Sequence, residues 1–180
     1  MRRLSISCLA AVLLVAAGPA RGLTVLPATF DELVRESVAV VHGQVRDVQA
    51  RWTSDRRTIE SSITVDVLDA YKGAATDTAT FVVPGGQAGG RIVVVPGAPV
   101  FSVGDEVVVF LAGRAPAMPR PIGLSLGVYR VVERTPGGPK LVVPTPVSSM
   151  PGLVRRGSVS RAPRSLDVFG ADVRALGADR

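Results

Sequence analysis

The sequence predicts a mainly β fold: a small closed or partly open antiparallel barrel, with a short N-terminal helix and a C-terminal helix. Three observations lead there. Ile59, Ile63, Val65 and Val67 alternate with Glu60, Ser62, Thr64 and Asp66, the period-two pattern of a strand with one wet face. Gly43 interrupts an apolar stretch whose phase then slips between Val45 and Val48, the signature of a bulge or a sharply coiled strand, and strands that bend this way close small barrels. The run Val107-Val108-Val109-Phe110-Leu111 is apolar on both faces, which marks a central strand covered on both sides.

Taken in chain order, Thr29-Phe30-Asp31-Glu32 has capping-box spacing and opens a short helix to about Glu36, with Phe30, Leu33 and Val34 as its apolar contacts. A first strand over 38–52 and a second over 59–67 form a long antiparallel hairpin around the polar Trp52–Arg57 segment. Tyr71-Lys72-Gly73 ends the second strand, and Thr78–Val83 is the third. Pro84–Gly90 is a glycine-rich hairpin loop; it lacks the Gly-Lys-Ser/Thr ending and following helix of a phosphate loop. Strands are expected again at 91–95, 106–112, 124–133 and 141–143, the last two joined by the Pro136-Gly137-Gly138-Pro139 turn. Residues 144–164, rich in Pro, Ser and Arg, read as a surface linker. Leu166, Phe169, Val173 and Leu176 are then spaced for one helix face, which either docks on the domain or forms a mobile tail.

Residues 1–22 carry the pattern of a cleavable signal peptide. Arg2 and Arg3 precede the uncharged apolar run Leu4–Ala17, and Ala20-Arg21-Gly22 sets up cleavage before Leu23. The apolar run is shorter than the roughly 20 residues a spanning helix needs, so no stable membrane span is expected after cleavage. The expected location is outside the cytoplasm, periplasmic or extracellular. Cleavage removes Cys8, the chain's one cysteine, and with it disulfides, zinc–thiolate sites and a cysteine nucleophile. Arg2, Arg3 and Arg21 also carry half of the formal charge of +6, and with 4% aromatic residues and scattered arginines the remainder does not describe a nucleic-acid binder. The organisation is therefore signal 1–22, barrel domain 23–143, linker 144–164 and helix 165–180.

Catalytic chemistry finds little material in the mature chain. His42 is its one histidine, placed opposite in phase to Val41 with Gln44 and Arg46 on its own face, and it reads as a partly exposed strand residue. Asp66, Asp69 and Asp105 carry no calcium-loop spacing, so neither a metal nor another cofactor is expected.

Three stretches, 37–45 (SVAVVHGQV), 63–73 (ITVDVLDAYKG) and 101–111 (FSVGDEVVVFL), together resemble the strand pattern of the OB barrels in the tissue-inhibitor-of-metalloproteinases and netrin-like superfamily, and of uncharacterised secreted bacterial proteins sharing that pattern. The resemblance covers about residues 37–133 and implies an OB-like fold. Inhibitors of that superfamily act through an amino-terminal cysteine on the protease zinc; Leu23 would stand there in this chain, so that mechanism and its site residues do not transfer.

The function expected is that of an exported, non-catalytic binding or adaptor module contacting a protein partner. Its candidate surface is the wet face of the first two strands, with His42, Gln44, Arg46, Glu60, Ser62, Thr64 and Asp66. The alternatives are a protease inhibitor of non-cysteine mechanism, through residues 85–90 or the amino terminus, an enzyme with a carboxylate-based site, and a structural envelope component.

Overall fold

Helix α1, Phe30–Glu36, begins at the expected capping box: the Glu32 amide donates to Thr29 Oγ1, and the Thr29 amide donates to a Glu32 carboxylate oxygen at 2.7 Å. Such a short helix is not stable alone in water. It holds because Leu33 and Val34 are buried and because Lys72 Nζ donates to the carbonyls of Val34 and Ser37, at 2.5 and 2.8 Å, which occupies acceptors the helix end leaves open. The computed structural model describes residues 29–113, 115–146 and 162–178. The expected signal segment and residues 147–161 of the expected linker lie outside them.

Strands β1, Ala39–Trp52, and β2, Ile59–Lys72, form the long hairpin read from the sequence. Its register shifts between Val40 and Val41, between His42 and Gly43, and between Val45 and Asp47, so the interior glycine and the phase slip do mark a bulged, bent strand. Gly43 is needed there because a Cβ would lie 2.3 Å from the Asp66 carbonyl oxygen. β3, Thr78–Pro84, extends the sheet from β2. The glycine segment is only partly a loop: Gly86–Ala88 (β4) and Arg91–Val93 (β5) form a separate two-stranded hairpin around Gly89 and Gly90.

β6, Glu106–Ala112, pairs with β1 on one side and on the other with β8, Val128–Glu133, and the two-residue β7, Arg120–Pro121. The strand expected from Leu124 begins at Val128, since Leu124–Gly127 forms a 3₁₀ turn. β9, Lys140–Pro144, follows. Arg164-Ser165, assigned to the linker and helix by sequence, is a short strand, β10, on β9, and it runs directly into α2, Leu166–Ala178.

The sheet order is β10-β9-β8-β6-β1-β2-β3, antiparallel at every pairing, with β7 beside β6. It does not close into a barrel. β10 and β3 are not paired, and among the described residues β3 reaches the other arm through one backbone bond, from the Val82 amide to the Pro119 carbonyl. A two-residue β7 cannot supply the ladder that closure requires, and the helices cover the sheet instead.

The apolar β6 separates two cores. Val108 and Phe110 face α1 and α2 together with Val40, Tyr71, Tyr129, Phe169 and Val173. Val107, Val109 and Leu111 face the inside of the sheet's own curl, with Val45, Ile63, Phe81 and Phe101. The C-terminal helix is therefore docked, and Gly170, a poor helix former, explains how: a Cβ there would meet the Tyr71 ring at 2.8 Å.

Candidate functional site

The expected wet face exists on β1 and β2. Pairing sets Gln44 opposite Asp66, Gln49 opposite Ser62 and Arg51 opposite Glu60, with Thr64 opposite Asp47. Most of these groups are engaged with one another. Arg46 pairs with Asp66 at 3.0 Å, Arg51 and Arg120 flank Glu60 at 3.5 and 3.4 Å, Thr64 Oγ1 lies 3.3 Å from Thr80 Oγ1, and Gln44 donates to the Gly104 carbonyl. Exposed pairs of this kind contribute from zero to about 1 kcal/mol each. The face is a solvated, self-paired surface of β1–β2.

His42 departs from the sequence reading. It shares a face with Gln44, because β6 sets Val108 opposite the one and Glu106 opposite the other, but its end of that face lies under α2. The residue is 6% exposed, so the expected partly exposed strand position is a buried one. Its Nε2 lies 2.7 Å from Glu106 Oε1, and Lys140 Nζ donates to both oxygens of the same carboxylate at 2.8 Å. Burial pushes the Glu106 carboxyl upward, yet the hydrogen bonds from Lys140 and His42 outweigh it and hold the group below the ordinary carboxylate range. The Lys140 ammonium is raised by the same bond. An ionised carboxylate only accepts, so Nε2 of His42 is the donor in this bond. Nearby, burial pushes the Tyr71 phenol up to about 12; Asp69 adds to this and Arg174 opposes it. The His42 and Tyr71 rings stack at a 13° interplanar angle.

Sequence reasoning missed a third region. Beneath the β4–β5 hairpin the inner core opens into a groove of about 480 Å³, lined by Val48, Ala50, Ile63, Val83, Val93 and Phe101. The hairpin is seated on the sheet by glycine. At Gly86, φ is +134°, and a Cβ would lie 2.4 Å from Ser61 Oγ and 2.8 Å from Ala50 Cβ. Ser61 Oγ also donates to the Gly85 carbonyl, and the Gly85 amide to that of Ile59. At the rim Ile92, Val94 and Val100 are 68%, 76% and 77% exposed. The signal was present in Ile92-Val93-Val94-Val95, an apolar run without alternation. Its central position beside a glycine turn hid the exposure of Ile92 and Val94 among the described residues.

Among the described residues, no group of three or more His, Cys, Asp or Glu side chains gathers to hold a metal ion, and no helix is long and apolar enough to cross a membrane. No family model, no curated protein and no solved structure matches this chain.

Proposed function

We propose that this chain is an exported, non-catalytic binding module that takes an extended apolar segment of a partner protein at the open end of its sheet, along the β4–β5 hairpin. The observation carrying this reading is the groove under the hairpin together with its exposed aliphatic rim at Ile92, Val94 and Val100. Aliphatic side chains left in water beside a groove of their own character mark an interaction site, since burying each is worth about 1.5–3 kcal/mol.

The backbone supports a strand as the occupant. Gly89 and Gly90 both have positive φ, so they form a two-residue turn in which Ala88 and Arg91 are the closing pair. In such a hairpin the next residue, Ile92, turns its N–H and C=O away from β4, towards the free edge. A peptide adding there gains main-chain hydrogen bonds while alternate apolar side chains enter the groove. Export is part of the same proposal and rests on residues 1–22. The OB-like relation is likewise proposed, supported by the bent β1 and by the doubly covered β6, whose stretches carried the resemblance.

Selection of phage-displayed random peptides on the purified protein tests the reading. Sequences with alternating aliphatic residues are expected, and their bound forms are expected to shift the backbone amides of 91–95 and of Val48 and Ile63. Selected peptides that shift the β1–β2 polar face instead, or a groove that takes free acyl chains and no peptide, would overturn it.

A further inference from the structure

We propose that the strand taken by the β4–β5 hairpin carries an acidic residue two positions from the aliphatic residue that enters the groove, and that Arg91 reads it. The inference rests on the strand site proposed above and names the chemistry of the segment that fits there.

Register places Arg91. Gly86 pairs with Val93 and Ala88 with Arg91, and paired residues of neighbouring strands share a face. A Cβ on Gly86 would meet Ser61 Oγ and Ala50 Cβ, so this is the face turned towards β1 and β2. Val93 accordingly lines the groove, and Arg91, two positions back, lies on the same face with its Cζ 5.9 Å from the centre of the Trp52 ring. Trp52 itself is two positions on from Ala50, so the indole continues the wall that β1 gives the groove. A peptide on the free edge of β5 meets the same alternation. Its residue beside Val93 points into the groove, and the residue beside Arg91, two positions away in either chain direction, points towards the guanidinium.

Charge selects what stands there. Arg91 is exposed, and among the described residues no carboxylate forms an ion pair with it. Residues 1–28, 114 and 147–161, which lie outside the described ones, contain neither Asp nor Glu. Asp179 and the terminal carboxylate follow α2, which packs at the Tyr71 end of β2, whereas the hairpin is bonded at the Ile59 end. An apolar side chain beside Arg91 would strip water from its charge, and a Lys or Arg would repel it. A carboxylate can accept two parallel N–H bonds from the guanidinium fork, whose freedom the indole contact already limits.

The peptides selected by phage display are expected to be enriched in Asp or Glu two positions from an aliphatic residue. Titration calorimetry then compares one such peptide with the same peptide carrying Asn in place of Asp, or Gln in place of Glu. The replacement is expected to weaken binding about fivefold at low salt, and the difference to shrink in about 0.5 M sodium chloride. Arg91→Met keeps an unbranched side chain beside Trp52; it is expected to weaken the acidic peptide by the same factor and to bind both peptides alike. Arg46→Met, which removes the same charge from the wet face, is expected to behave as the parent does. If Arg91→Met loosens the hairpin, the peptide-side replacement decides alone, since it alters nothing in the protein. Aliphatic peptides selected without acidic enrichment, or an acid preference that survives in Arg91→Met, would overturn this inference and leave the strand site standing. A selection that returns no alternating aliphatic peptides would overturn both.

Discussion

The two faces of β6 are covered in different ways. On one, Val108 and Phe110 are sealed by dedicated elements: Phe30 of α1 and Phe169 of α2 meet Phe110 edge-on at 6.1 and 6.0 Å, and Tyr129 packs at 5.6 Å. On the other, among the described residues, Val107, Val109 and Leu111 are covered by the sheet's curl and by Phe101 from the loop before β6, which meets Phe81 edge-on. A curl of β strands that does not close has an open end. The helix-covered side therefore ends in a small polar cleft between the end of β2 and α2, and the curled side in an apolar groove. One central strand thus divides a molecule that is closed where four aromatic rings interlock and open where mostly aliphatic side chains, with Phe81 and Phe101 among them, line the bend.

Truncation on each face of β6 gives the largest effects and the most direct test of that contrast. Phe110→Ala leaves a ring-sized hole among three other rings and is expected to cost about 3–5 kcal/mol by urea denaturation. Val109→Ala, one residue along and equally buried, removes two methyl groups and is expected to cost about 2 kcal/mol. Equal costs would mean that both faces are packed alike.

The two glycines at which elements touch sharpen it further. In Gly43→Ala the new Cβ meets a backbone carbonyl that cannot move without shifting β2, for an expected loss of about 3 kcal/mol. In Gly170→Ala the clash is with the Tyr71 ring, which can tilt, and helix propensity returns about 1 kcal/mol, so the net loss is expected near 1 kcal/mol. Near-UV circular dichroism should register the second as a loosened α2, with the sheet unchanged.

Acid should act at the border between the covered core and the wet face. The folded Glu106 carboxyl is held below its ordinary value of 4.5, so its contribution is complete above that value and is lost as pH falls through the folded one. Denaturation midpoints measured from about pH 7 to about pH 3 are expected to drop less steeply in Glu106→Gln than in the parent, because the neutral amide has no proton to take up. Identical acid limbs would show that the Lys140–Glu106–His42 trio adds no pH-dependent stability.

What the sequence disclosed follows from how local each signal is. The capping box at Thr29 and Glu32, the bulge at Gly43, the two-sided β6 and the C-terminal helix all rest on spacing within a few residues, and each is found in the structure, whereas the docking of that helix was left open by its sequence. Closure of the barrel depended on whether 119–121 and 78–84 would meet as a ladder, which no short window records. The burial of His42 was hidden for the same reason: its own strand reads as a polar face, and the residues that cover it, Leu166, Asp167, Gly170 and Arg174, lie more than a hundred positions away. Tyr71-Lys72-Gly73 read as a strand end and as the close of a stretch that carried the family resemblance, with no long-range contacts implied. In three dimensions Tyr71 receives Gly170, Lys72 caps α1, and Gly73 lies so close to β1 that a Cβ would be 2.9 Å from the Val38 carbonyl oxygen.

The smallest stability effects are expected at the groove rim, where the functional effect should be greatest. Ile92 and Val94 are mostly in water, so Ile92→Thr and Val94→Thr keep β-branching and are expected to change stability by about 0.5 kcal/mol or less. The same substitutions remove the apolar surface that a docked strand would cover and are expected to abolish capture of the selected peptides. Thr64→Ala and Gln44→Ala, on the self-paired polar face, are matched controls: equally mild for the fold, and expected to leave capture intact. Titration calorimetry of the four variants against one selected peptide separates the regions. Loss at Thr64 or Gln44 with retention at Ile92 and Val94 would move the binding surface to the wet face of β1 and β2.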